Sequence, residues 1–219
     1  MPISEVYNED NMIGMARYPE KYFDLAIIDP PYGIGEDGRN NHTRGKLAKV
    51  KDYRGNKRYD NQPPPAEYFS ELFRVSKNQV IWGANHFISR LPFDSPCWIV
   101  WDKNNGDTDF SDCELAWTSF KTAVRKVKHT WQGMLQENMK EKDILIHPNQ
   151  KPLRLYKWLL SKYAKAADKI LDTHMGSQSS RIAAYQMGFD YWGWEIDTNY
   201  FEAGNKRFKE QTAQLDFFK

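Results

Sequence analysis

A chain of 219 residues, 40% hydrophobic and 15% aromatic, has apolar side chains enough for one buried core and lacks the composition of a disordered chain. Its net charge of +2 excludes a polycation, so any nucleic-acid surface must be a local patch. No apolar run approaches the roughly 20 residues that span a bilayer, and the first residues do not form a signal peptide, which points to a soluble, intracellular protein. Cys97 and Cys113 have no partners at metal-ligand spacing and read as reduced thiols, so no metal site is expected.

In chain order, the first predicted strand is Leu25-Ala26-Ile27-Ile28, which ends at Asp29. Residues 33–65 break the pattern. They hold five glycines, end in Pro63-Pro64-Pro65, and carry Arg39, Arg44, Lys46, Lys49, Lys51, Arg54, Lys57 and Arg58 against few acids. A stretch this long without apolar periodicity is a functional loop or a disordered one. Further strands are expected at Gln79-Val80-Ile81-Trp82, at Trp98-Ile99-Val100-Trp101 before Asp102, and at Leu115-Ala116-Trp117-Thr118. The spacing of Leu153, Tyr156, Leu160 and Tyr163 predicts a helix over 153–163. A strand Lys169-Ile170-Leu171 ends at Asp172, and a short helix from Ser180 to Met187 is closed by Gly188. Tyr191-Trp192-Gly193-Trp194 ends at Glu195, and Asp197 or Thr198 caps a last helix with Phe201 and Phe208 on its buried side. Continuous apolar strands alternating with helices argue for a doubly wound α/β sheet, whose ligands sit beyond the carboxyl ends of the strands. Nothing marks a second domain.

Three segments carry chemistry. Asp29-Pro30-Pro31-Tyr32 follows a buried strand directly. An exocyclic amino group on a base is a poor nucleophile because its lone pair is delocalised into the ring. A carboxylate (Asp29) and a carbonyl of fixed direction (Pro30) could hold its two N–H bonds, while Tyr32 stacks on the base face. The second segment, Asp172-Thr173-His174-Met175-Gly176-Ser177, lies at a strand-to-helix turn, with Glu195 about twenty residues on. Without the pyrophosphate fingerprint, this suits a nucleoside lacking phosphates, such as S-adenosylmethionine; a glycine needed only for a tight turn would leave the same trace. The third, His147-Pro148-Asn149-Gln150-Lys151-Pro152, is by itself also the ordinary start of a helix.

Together the three segments, in this order, resemble the β-class of amino DNA methyltransferases, over nearly the whole chain from Phe23 to about Phe208. Residues 78–87 and 96–120 are similar to a phage or prophage branch of that family. The resemblance implies a Rossmann-like, seven-stranded, mostly parallel sheet with one reversed strand and helices on both faces. It implies transfer of a methyl group from S-adenosylmethionine to N6 of adenine in double-stranded DNA, the target base being flipped out. N4 of cytosine, or a catalytically silent DNA-binding relative, are the alternatives. Asp29, Pro30, Pro31 and Tyr32 would be catalytic, and Asp172, Gly176, Ser177 and Glu195 would hold the cofactor, with His147, Gln150 and Lys151 at its methionine end. Arg39, Arg44, Lys46, Lys49, Lys51 and Arg54 of the basic loop, and an insertion at about 103–145, would contact DNA. A homodimer and a cognate restriction enzyme are both open, and a cytoplasmic location in a bacterial host is expected. The sequence departs from the family at Thr173-His174, where Pro-Phe is usual, and at Gln178, where a second glycine is usual.

Overall fold

The computed structural model describes residues 1–35, 60–105, 111–132, 135–140 and 142–216. In chain order these form β1 (Ser4–Tyr7), α1 (Asn11–Met15), β2 (Phe23–Ile28), α2 (Ala66–Val75), β3 (Ser76–Trp82), β4 (Trp98–Asp102), β5 (Cys113–Thr118) and β6 (Arg125–Lys128). A small hairpin of β7 (Trp131–Gln132) and β8 (Leu135–Gln136) follows, then α3 (Leu153–Tyr163), β9 (Lys169–Asp172), α4 (Ser179–Gln186), β10 (Asp190–Trp194) and α5 (Thr198–Asp216).

Among the described residues, eight strands make one sheet in the order β1-β10-β9-β2-β3-β5-β4-β6. All run parallel except β5, which is antiparallel to both β3 and β4. The expected α/β sheet with one reversed strand is therefore present, with one strand more than the expected seven. The apolar runs are continuous because both faces are covered. Leu25 and Ile27 of β2 pack with α3 and α4, whereas Ala26 and Ile28 pack with α1 and α2. Most of the tryptophans belong to these cores: Trp82 and Trp101 on one face, Trp117, Trp192 and Trp194 on the other.

Helix α3 spans the predicted residues, but its buried face is Leu155, Tyr156, Leu159 and Leu160, leaving Leu153 and Tyr163 at the edge of the core. Asp197 caps α5, accepting the backbone N–H groups of Asn199 and Tyr200, as a cap residue should. Phe201 and Phe208 are half-buried there, and Arg207 is buried. Within the stretch 103–145, β5 and β6 are strands of the main sheet.

Candidate active site

Three neighbouring parallel strands deliver carboxylates to one edge of the sheet: Asp29 follows β2, Asp172 closes β9 and Glu195 follows β10. Strands lie about 4.8 Å apart, so the outer two strand ends are separated by about 10 Å.

At the β2 end, the Tyr32 hydroxyl donates to Asp29 Oδ1 at 2.6 Å, and Lys151 Nζ lies 2.6 Å from Asp29 Oδ2. The same ammonium donates to the Tyr32 hydroxyl at 3.1 Å and stands 3.1 Å from Glu114 Oε2. Lys103 completes the cluster through an ion pair with Glu114. Two cations and two carboxylates thus balance, which a buried group of charges requires. Burial pushes the Asp29 carboxyl up, against the pull of Lys151. Burial acts on Glu114 in the same direction, but Lys151 and Lys103 prevail and hold it at about 2.

Two local features place Tyr32. Asp60 Oδ1 accepts the backbone N–H groups of Tyr32 and Gly33, both at 2.7 Å, and the Asp60 carbonyl accepts the Gly35 N–H. Gly83, at the exit of β3, has φ +67°, and a Cβ there would lie 2.0 Å from the Tyr32 ring. No other residue fits both constraints. His86 stacks on the Tyr32 ring at 5.3 Å between centroids and 14° between planes. The ring expected to stack on a base is therefore already paired with an imidazole on one face. Pro30 is buried and Pro31 half-buried.

At the β10 end, Glu195 Oε2 accepts the Gly176 N–H at 2.8 Å, and Oε1 accepts the Asp197 N–H at 2.9 Å. The backbone N–H of Ile196 bonds this carboxylate as well, and of its roughly four lone-pair sites these three bonds leave capacity for a ribose hydroxyl. Burial raises the Glu195 carboxyl. Asp172, between the two ends, is 1% exposed; its oxygens accept from Ser180 Oγ at 2.5 Å and from the His174 N–H at 3.0 Å. Burial pushes its carboxyl up to about 7.

The two departures from the family pattern have structural partners. Thr173 Oγ1 bonds the Tyr68 hydroxyl at 2.5 Å and His174 Nδ1 at 3.0 Å, and His174 Nε2 reaches Asn11 Nδ2 at 3.2 Å. Burial holds the His174 imidazole neutral, down to about 4. Gln178 adopts φ +59°, a conformation suited to the glycine it replaces. Its side chain leaves the loop and enters the α4–α5 interface, where Oε1 accepts from Arg181 and Nε2 donates to the Phe201 carbonyl. Space for it exists because residue 204 is glycine; a Cβ there would lie 2.6 Å from the Gln178 side chain.

Of the third segment, only Lys151 reaches the Asp29 cluster. His147 packs on the Tyr200 ring at 4.4 Å and beside Gly176, and burial with the nearby Lys151 charge keeps it neutral, down to about 3. Gln150 is 4% exposed and uses both ends of its amide on its own loop: Oε1 accepts from Ile146 N–H and Nε2 donates to the Ile144 carbonyl. Ser177 bonds Ser179 through its hydroxyl, and its carbonyl accepts from Arg207. The basic-loop residues Arg39, Arg44, Lys46, Lys49, Lys51 and Arg54 lie outside the described residues.

Sequence reasoning missed Glu114, His86, Asp60 and Gly83 as parts of this site, and met Lys103 only within a longer run. Glu114 leaves no motif. It reaches the site because β5 runs backwards, which puts the start of that strand at the same sheet edge as the ends of its neighbours.

The chain is 24% identical to the type II methyltransferase M2.MboI of Moraxella bovis, covering 96% of this chain and 89% of that protein. Its fold is similar to that of TTHA0409, a putative DNA modification methylase of Thermus thermophilus solved with S-adenosyl-L-methionine, with a TM-score of 0.61, 17% identity, and coverage of 95% and 94% of the two chains. It is also similar to the cytosine-N4-specific PvuII DNA methyltransferase, with a TM-score of 0.59, 13% identity, and coverage of 98% and 93%. A family model described as DNA methylase matches residues 90–206, just over half of the chain and including Glu114, Lys151, Asp172 and Glu195. The protein belongs to the N6/N4 DNA methylase family.

Proposed function

We propose that the chain methylates N6 of adenine in DNA, with Asp29, Pro30 and Tyr32 holding the reacting base and Glu195 and the Gly176 turn holding S-adenosylmethionine. The observation that carries this reading is the Asp29 carboxylate, fixed by Tyr32 and Lys151 at one strand end, with the Glu195–Gly176 bond two strands away. The residues fit the cofactor: a half-buried carboxylate with acceptor capacity left suits a ribose hydroxyl, and the turn beside it is made by a glycine. When bound, the cofactor supplies an electrophilic methyl group on a sulfonium.

The chain's own residues supply the rest. Asp29 accepts one N–H of the base amine while the Pro30 carbonyl accepts the other, so the nitrogen lone pair turns out of the ring system and toward the methyl group. Lys151 and Tyr32 fix the carboxylate orientation, and positioning of this kind can supply as much as ~7–11 kcal/mol of a barrier. Once the nitrogen carries its new methyl group it loses a proton, and the Asp29 carboxyl, raised by burial, is the group placed to take it. An Asp at the first motif position resembles the adenine pattern, which is the ground for adenine over cytosine. The basic loop from Arg39 to Arg54 is assigned the DNA backbone.

Nucleoside mass spectrometry of treated DNA tests this directly, and N6-methyladenine is expected. N4-methylcytosine would overturn the base assignment and keep the chemistry. Asp29→Ala should abolish product while leaving cofactor affinity nearly unchanged. Tyr32→Phe should lower turnover about tenfold or more, because a hydrogen bond to a charged group contributes roughly 1.5–3 kcal/mol.

A further inference from the structure

We propose that Glu114 is a positioning residue of the methylation site, holding the Lys151 ammonium between two carboxylates so that Asp29 retains an acceptor for the base amine. This rests on the reading above for the role of Asp29. Lys151 is almost fully buried, with 4% of its side chain exposed, and reaches three oxygens: Asp29 Oδ2, the Tyr32 hydroxyl and Glu114 Oε2. The first two belong to the tetrapeptide that would handle the base. Only Glu114 comes from elsewhere in the fold, from the reversed strand, in register with Trp101.

The contact has the character of a charge held in place. Among the described residues, buried Glu114 Oε2 has no partner in good hydrogen-bond geometry, and the ammonium 3.1 Å away is its ion-pair partner. A buried acceptor without a hydrogen bond is costly, and the nearby cation is what offsets the cost here. The other oxygen is fixed by Lys103, whose ammonium also lies over the Trp101 ring. Take the Glu114 charge away, and among the described residues Lys151 has Asp29 as its sole carboxylate. The ammonium would then compete with the substrate for the oxygen that must accept the base N–H.

Among the described residues, few charged or titratable groups surround Asp29. Tyr32 and Lys151 touch it, Glu114 faces it across Lys151, and Tyr156 of α3 and Asp172 of β9 sense it through space. His147 senses Lys151, and His86 stacks on the Tyr32 ring. Removing one negative neighbour should therefore shift Asp29 in a defined direction, since Glu114 raises its carboxyl.

The test uses Glu114→Gln and Glu114→Asp in the full chain. The Asp29 carboxyl is titrated by ¹³C NMR without cofactor, its resonance assigned through Asp29→Asn. For Glu114→Gln the midpoint of Asp29 should move to lower pH, and the acidic limb of kcat should move with it. Its kcat should fall roughly tenfold to a hundredfold, while cofactor affinity and the KM for DNA stay within about twofold. Glu114→Asp keeps the charge and should restore most of both readings. An unmoved midpoint with unmoved kcat overturns the proposal. So does equal loss of kcat and stability in both variants with the Asp29 midpoint fixed, which is what a purely structural role gives. If the midpoint moves as stated but the wild-type chain methylates no DNA, the Glu114–Lys151–Asp29 coupling stands and the functional reading falls.

Discussion

Replacing Gly83 with alanine should break the site from outside its motif. The residue has φ +67°, so any side chain incurs backbone strain of about 1–2 kcal/mol. The new Cβ would lie 2.0 Å from the Tyr32 ring, a distance at which the ring must leave. Leaving costs the hydroxyl's bond to the Asp29 carboxylate, about 1.5–3 kcal/mol. Gly83→Ala should then destabilise the protein by about 2.5–5 kcal/mol. The control is Gly188→Ala, at φ +82° with nothing within 4 Å of the added methyl, which isolates the strain alone. The gap of about 2 kcal/mol corresponds to roughly 4–8 °C in Tm for a chain of this size, measurable by calorimetry. Turnover should collapse in Gly83→Ala and survive in Gly188→Ala. Equal stability loss in the two variants, with Gly83→Ala still active, would refute the claim that Gly83 makes room for Tyr32.

Asp172 has a folded-state carboxyl raised to about 7, so between about pH 4 and 7 the folded state binds more protons than the unfolded one and this group's contribution falls as pH rises; Asp172→Asn should flatten that slope in urea titrations, and an unchanged slope would count against the buried carboxyl. Gly204→Ala should cost about 1–3 kcal/mol by crowding Gln178, and Gln178→Ala in the same chain should recover part of it, so strictly additive losses would show that the two residues are not coupled. Neutralising Lys46, Lys49, Lys51 and Arg54 should lower the slope of log DNA affinity against log salt by roughly 1 for every phosphate they cease to hold; an unchanged slope in fluorescence anisotropy would mark them as a solvated charge run.

How much could be read in advance depended on whether the information was local. The runs ending at Asp29, Asp102, Asp172 and Glu195 all became strands, because a strand covered on both faces must be apolar throughout. The short edge strands β1 and β6 escaped: Arg125-Lys126-Val127-Lys128 has three cations among its four residues and no apolar signature. Helix α2 was also missed, since it starts right behind three prolines that read as the end of a loop. In the site, Asp29, Tyr32, Asp172 and Glu195 were legible because a motif keeps them beside a strand end. Lys151 was legible as a residue but not as a partner of Asp29, far away in sequence and 2.6 Å away in space. Glu114 was not legible at all, because the direction of a strand is a property of the assembled sheet. The departure at Gln178 was legible as a departure, but the room for its side chain comes from Gly204 on another helix.

The pinning of residue 60 to residues 32, 33 and 35 has a consequence for how such a chain can vary over evolutionary time. Whatever sequence lies between, the backbone on either side of it is joined at one point, Asp60 being fastened to the backbone of Tyr32, Gly33 and Gly35. Lengthening a segment closed in this way costs little, about 0.6 kcal/mol for each doubling. Insertions, deletions and wholesale exchange of that segment are therefore open to drift or to grafting, with the tetrapeptide beside it left in register. A chimera that carries another segment between Gly35 and Asp60 is accordingly expected to fold and to keep Tyr32 in place.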